Sequence, residues 1–238
     1  MSTASPAVPI PPEPYMVYLE NSALIDLADP TEQRHADAMQ LLALFQRYQN
    51  SELLWLTTSL WAITECHSVL YRKALEQLGI ARPMRGGRRR DLRNLLPPNQ
   101  AALITATQQK ETLLQTLSTT TDFRILPAAS SDSSRLLQLT MRLAEEAAIW
   151  APDSIHVAIA LESGDCQIIV TDDGDLLDKI DDCQAHLIQP YRQQQFSMLP
   201  TPPSFNAYGV ARTTSELPSQ RGLTRLSALQ ALNALGFR

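Results

Sequence analysis

The sequence predicts an α/β fold: a mainly parallel central sheet of about five strands between helices, a three-layer α/β/α sandwich. Two observations lead there. Strand-like and helix-like stretches alternate along the chain, the pattern that covers both faces of a parallel sheet with helices. Two strand candidates, in VYLENSALIDL (17–27) and IIVTDDGDLL (168–177), are near-continuously apolar, as strands buried on both faces are. Both runs stop abruptly at carboxylates.

The elements follow in order. Residues 1–14 are Pro-rich and read as a disordered leader without the basic start and apolar core of a signal peptide. Met16–Leu19 is the first strand and Ser22–Leu27 a short helix. Thr31–Gln49 has helical spacing, with Ala38, Leu41, Leu42 and Phe45 on one face. Leu53–Leu56 is a second strand, and Thr57 and Thr58 are placed to cap a helix from about Ser59 to Leu78. Residues 79–98 form a basic loop punctuated by Gly and Pro. Asn99–Leu117 is a helix, Phe123–Leu126 a strand, Ser133–Ala148 a helix. Pro152 suits the first turn of another helix reaching about Glu162. Gln167–Thr171 is a strand, Leu176–Ile180 a helix and Ala185–Ile188 the last strand. Residues 190–222 look irregular. Leu223, Leu226, Leu229, Leu232 and Leu235 give the tail an imperfect apolar stripe, expected to dock on the domain. The organisation expected is a leader at 1–14, one domain at 15–190 with an insertion at about 79–121, and a C-terminal extension at 191–238.

Composition narrows the function. The chain has 238 residues, 44% hydrophobic and 19% charged, ordinary for a globular protein. A net charge of -5 gives no bulk signal for nucleic acid. Three cysteines without a C-x-x-C pair argue against a disulfide framework or zinc site and suit a reducing, cytoplasmic setting. No apolar run approaches the roughly 20 residues of a membrane span. None of the 8 glycines falls in a phosphate-loop pattern, which weighs against a phosphatase or nucleotide-binding reading.

The acids are distributed unusually. In SLWAITECHSVLYRKAL, Ala62, Glu65, Cys66 and Val69 share one helical stripe, so Glu65 lies on a core-directed face. A salt bridge to Arg72 or Lys73 is its ordinary explanation. Asp153 shares a stripe with His156, Val157 and Ala160; a first-turn acid favours the helix dipole by itself. His156, a lone histidine on an apolar face, reads as a satisfied core residue. Asp172, Asp173 and Asp175 cluster where a strand meets a helix, where turns and caps use Asp. Each is weak alone. Together, acids at two strand ends, a helix stripe and a helix start form a pattern. In open parallel sheets ligands bind beyond the carboxyl ends of the strands, where Glu20 and Asp172 fall. Crowded carboxylates repel, and a hard divalent cation relieves that repulsion.

These motifs resemble the PIN-domain nucleases, in particular VapC-type toxin ribonucleases. VYLENSALIDL matches the opening strand, acid and Thr/Ser of that family, with Glu20 where Asp is usual. TTSLWAITECHSVL supplies the second acid, Glu65. DSIHVAIALESG supplies the third, Asp153. IIVTDDGDLL supplies Asp172, with Asp175 beyond it. The resemblance runs in order from about Tyr15 to Pro190. It implies a five-stranded parallel sheet and Mg²⁺ or Mn²⁺ held by Glu20, Glu65, Asp153 and Asp172, with Asp175 in outer support. Ser22, Thr171 and Asp173 support the site. It also implies hydrolysis of RNA phosphodiester bonds, and for VapC-type members a homodimer and a VapB-type antitoxin. Three departures stand out: the extra methylene of Glu20, the longer 79–121 segment and the chain past Pro190. Arg82, Arg85, Arg88, Arg89, Arg90 and Arg93 give the basic loop forked donors suited to an RNA backbone. The competing expectation is a non-catalytic PIN-like module that binds RNA or protein.

Overall fold

The computed structural model describes residues 15–47, 49, 54–81, 98–126, 133–163, 166–197 and 205–210. The Pro-rich leader, the six arginines of the basic loop and the leucine stripe of the tail lie outside the described residues.

The element order is β1 (Tyr15–Leu19), α1 (Asn21–Ala28), α2 (His35–Arg47), β2 (Leu54–Ser59), α3 (Leu60–Gln77), α4 (Gln100–Thr120), β3 (Phe123–Leu126), α5 (Ser133–Glu146), α6 (Ala151–Glu162), β4 (Cys166–Val170), α7 (Gly174–Cys183), a π-helical turn (Gln184–Ile188), α8 (Gln189–Gln195) and β5 (Asn206–Tyr208). The strands form one sheet in the order β3-β2-β1-β4-β5, every neighbouring pair parallel. The α/β class and the five parallel strands expected from the sequence are both present.

The handedness of crossovers explains the layers. From β1 through β2 to β3 the chain steps one way across the sheet. It then returns past β1 and steps the other way to β4 and β5. Right-handed connections therefore put the first set of helices on one face and the second set on the opposite face. The packing agrees. Val17 and Leu19 meet Leu24, Phe45, Leu70 and Leu117 of α1 to α4. Met16 and Tyr18, pointing the other way along the same strand, meet Leu143, Val157, Ile180 and Leu187. The direction changes between β1 and β4, the point beyond whose carboxyl ends open parallel sheets form a ligand crevice. Leu70 lies at the middle of α3 with no exposed surface. Leu70→Ala should cost about 2–5 kcal/mol in urea unfolding, for lost burial and the cavity left behind.

Local chemistry sets the boundaries. β2 runs to Ser59, beyond the expected end, because Thr57 and Thr58 donate their hydroxyls to Arg124 O (3.0 Å) and Leu19 O (2.8 Å) on the neighbouring strands. Ser59 then caps α3 in their place, accepting from Ala62 N at 3.1 Å. Asn99 caps α4 through Ala102 N at 2.9 Å, and Asp173 caps α7 through Leu176 N at 3.2 Å.

The expected strand at Ala185–Ile188 is a correction: these residues are helical, in the π-turn that joins α7 to α8. Leu187 and Ile188 are both buried there, and two adjacent apolar residues fit either a buried strand or a wide helical turn. The fifth strand is Asn206–Tyr208, inside the stretch expected to be irregular and past the boundary set at 190. It pairs with β4 from Ile168↔Asn206 to Val170↔Tyr208. Among the described residues no helix is long and apolar enough to cross a membrane.

Candidate metal centre

Glu20 follows the last residue of β1 and caps α1 from extended backbone. Its amide donates to Val170 O at 3.0 Å, which fastens the ends of β1 and β4 side by side. One carboxylate oxygen, Oε2, accepts from Ser22 N (2.8 Å), Ser22 Oγ (2.6 Å) and Thr171 Oγ1 (3.0 Å). Both hydroxyls can commit their protons to Glu20 because each receives an amide behind it: Asp172 N reaches Ser22 Oγ at 2.8 Å and Asp173 N reaches Thr171 Oγ1 at 3.1 Å. Only 4% of Glu20 is exposed. A capping glutamate must fold back to reach its own helix, and that fold absorbs the methylene by which it exceeds aspartate. Oε1 is left facing into the crevice.

Glu65 projects from α3 to the same place. It does not pair with Arg72 or Lys73. Arg72 binds Glu76 at 3.1 Å, and Lys73 binds Asp29 and Glu32. Glu65 Oε2 instead lies 2.7 Å from Nε2 of His156, and Glu20 Oε1 lies 3.6 Å from the same nitrogen. His156 has no exposed surface. Its Nδ1 is 2.9 Å from the Tyr18 hydroxyl, which lies 2.7 Å from Ser59 Oγ. Burial opposes charge on the ring, but the bond to Glu65 and the field of Glu20 win, and the imidazole pKa is raised. Glu20, Glu65 and His156 each offer one ligand atom, and the three atoms lie within 4.8 Å of one another.

Asp153 enters from the first turn of α6, one turn before His156. Burial first, then the fields of Glu20 and Asp173, push its carboxyl up to about 6; His156 works in the opposite direction. Asp153 thus shares the electrostatic environment of Glu20 and Glu65, as the helical stripe suggests. Asp172 lies just beyond the end of β4, its amide on Ser22 Oγ. Its Oδ1 accepts from Val210 N at 3.3 Å and its Oδ2 lies 3.7 Å from Arg34 Nε. It also faces Asp26, a buried residue of α1 that sequence reasoning passed over. Burial, then the contact with Asp172, push the Asp26 carboxyl up to about 8. Asp173 caps α7, and Asp175 lies exposed in the first turn of that helix.

Glu20, Glu65 and His156 therefore meet in one cluster braced by Ser22 and Thr171, with Asp153 in its electrostatic field and the amide of Asp172 on Ser22 Oγ. Beyond the expected acids, the fold brings Asp26 and Arg34 to Asp172. The sequence puts His156 on the stripe of Asp153 and reads it as a satisfied core residue; the two carboxylates before its Nε2 are what only the fold supplies.

The donor set suits a divalent cation. Two carboxylates face one imidazole, and the upward push on Asp153, from burial first and then from the fields of Glu20 and Asp173, is of the kind a cation would relieve. Glu20 Oε2 is saturated by three donors, which fixes the carboxylate and leaves Oε1 directed inward.

No protein-family profile matches the chain, and no curated protein sequence matches it. Among solved structures, VapC20 of Mycobacterium tuberculosis, a toxin described as cleaving the sarcin-ricin loop, is similar at 16% identity and a TM-score of 0.41. The match covers 67% of this chain and 92% of that one. At that distance nothing about activity passes from one chain to the other.

Proposed function

We propose that this chain is a PIN-like, metal-dependent ribonuclease that hydrolyses RNA phosphodiester bonds. The observation that carries the reading is the meeting of Glu20, Glu65 and His156 ligand atoms within 4.8 Å, at the carboxyl ends of parallel strands where the sheet changes direction. The motif resemblance supplies the reaction class.

Glu20, Glu65 and Asp153 would hold one Mg²⁺ or Mn²⁺, with Asp172 able to serve a second position or the substrate side of the first. The ion supplies Lewis-acid charge for a phosphate oxygen and a lowered pKa for water, so no side-chain nucleophile is required. Ser22 and Thr171 orient the Glu20 carboxylate through three donated hydrogen bonds, and Tyr18 and Ser59 orient the His156 ring. Arg34, half exposed beside Asp172, offers a cation at the mouth of the crevice where an RNA phosphate would arrive. Asp173 and Asp175 support the α7 side. A contribution from Arg82, Arg85, Arg88, Arg89, Arg90 and Arg93 to backbone binding, a VapB-type antitoxin and a homodimer belong to this reading through the resemblance alone.

The test is incubation of purified protein with mixed cellular RNA and Mg²⁺ or Mn²⁺, beside an EDTA control. Metal-dependent fragmentation is the expected result. Intact RNA with a bound ion would restrict the reading to a narrow substrate. Intact RNA with no bound ion would favour the binding module instead. One observation already points that way: the Asp172 carboxylate is engaged by Asp26, Arg34 and Val210.

A further inference from the structure

We infer that His156 is itself an ion ligand, and that the centre therefore selects a first-row transition ion such as Mn²⁺ or Co²⁺ over Mg²⁺. The inference rests on the reading of the crevice as a cation centre and goes beyond its carboxylates.

The first support is distance. Two ligands at right angles on an octahedral ion, each about 2.1 Å from it, lie about 3.0 Å apart. His156 Nε2 is 2.7 Å from Glu65 Oε2 and 3.6 Å from Glu20 Oε1, a pair of separations that brackets that edge. The second is what stands behind the ring. A ligating imidazole is ordinarily fixed by its other nitrogen, which donates to an acceptor that sets tautomer and orientation. Here Nδ1 meets Tyr18, Tyr18 meets Ser59, and Ser59 accepts from Ala62 N at the start of α3. That chain of bonds joins α6, β1, β2 and α3, so four elements hold the ring with Nε2 aimed at the two carboxylates. The third is burial. His156 is wholly enclosed, and its Nε2 has Glu65 and Glu20 before it.

The chemistry then sets the preference. Mg²⁺ favours oxygen ligands and gives up water reluctantly. Imidazole nitrogen favours transition ions over Mg²⁺, and affinity for a given site rises from Mn²⁺, the most oxygen-loving of them, through Co²⁺. On binding, the Nε2 proton leaves to solvent. The proton on Nδ1 stays there and hydrogen-bonds to the Tyr18 oxygen, whose own O–H hydrogen-bonds to Ser59 Oγ.

The experiment uses the full chain, freed of metal and titrated with Mn²⁺ alone and in competition with Mg²⁺, read by pulsed electron paramagnetic resonance. The expected result is nitrogen coupling to bound Mn²⁺ in the native chain and its loss in His156→Gln. The ratio of Mn²⁺ to Mg²⁺ affinity should fall about ten- to hundredfold in that variant. Because the ring is buried, Tyr18→Phe is measured beside it. That variant keeps the imidazole and should retain nitrogen coupling while binding Mn²⁺ more weakly. Bound Mn²⁺ without nitrogen coupling in the native chain overturns this inference and leaves the carboxylate centre standing. Absence of ion binding overturns both.

Discussion

Asp153→Asn is expected to lower metal-dependent RNA cleavage by roughly a hundredfold or more. Partners that merely orient metal ligands are typically worth ten- to hundredfold, so a carboxylate proposed to hold the ion itself should be worth at least the upper end. Asparagine keeps the volume and one carbonyl oxygen, so the helix start and its packing survive. What is lost is a charge set among Glu20, Glu65 and Asp173. Circular dichroism should show an unchanged fold, and single-turnover cleavage of a labelled RNA gives the rate. An unchanged rate would mean that Asp153 is only a first-turn acid serving the helix dipole, the simpler explanation its position allows.

The same substitution should make the metal-free protein more stable at neutral pH. Asp153 has an ordinary carboxyl pKa of 3.8 when unfolded and about 6 when folded. Below the lower value it is protonated in both states and contributes no difference. As pH rises between the two, the unfolded chain releases the proton and the folded chain keeps it, so stability falls. Above about 6 the full cost of the buried, repelled charge remains. Part of the carboxyl faces water, so the cost is discounted to about 1–2 kcal/mol. Urea unfolding in EDTA at pH 4, 5, 6 and 7 checks this. The two proteins should agree near pH 4 and diverge by pH 7, with Asp153→Asn the more stable. Saturating Mn²⁺ should reverse the order, because a ligand that binds only the native state stabilises it. Parallel pH profiles would contradict the placement of Asp153 in the acid cluster.

Sequence periodicity was a good guide wherever burial is two-sided or one face of a helix is apolar. β1 and β4 announce themselves as unbroken apolar runs, and α3 and α6 by stripes that hold Ala62, Cys66, Val157 and Ala160 in the core. β5 left no such mark. It is three residues long, lies at the sheet edge and follows a Pro-rich stretch, so its existence depends on pairing with β4, a tertiary fact. Ala185–Ile188 misled for the converse reason, since a short buried apolar run carries no period of its own.

The site divides the same way. Glu20, Glu65 and Asp153 are legible because a carboxylate at a strand end or on an apolar stripe contradicts the burial preference of its position. His156 contradicts nothing, since an imidazole is common in cores, and its meaning appears only when Glu65 from a helix 91 residues away closes on it. Asp26 is similar: IDL gives no hint that its carboxyl will face Asp172. The departure at Glu20 also needed the fold. Only the geometry shows the longer side chain folding back to cap α1 while Oε1 still reaches the cluster.

The most direct test of the metal centre measures RNA cleavage and ion occupancy on the same samples, with Mn²⁺ added in steps to metal-free protein. The two curves should rise together in the native chain, and both should collapse in Glu20→Gln. Cleavage that persists in EDTA, or that survives in Glu20→Gln at the native rate, would contradict the assignment of this crevice as the catalytic centre.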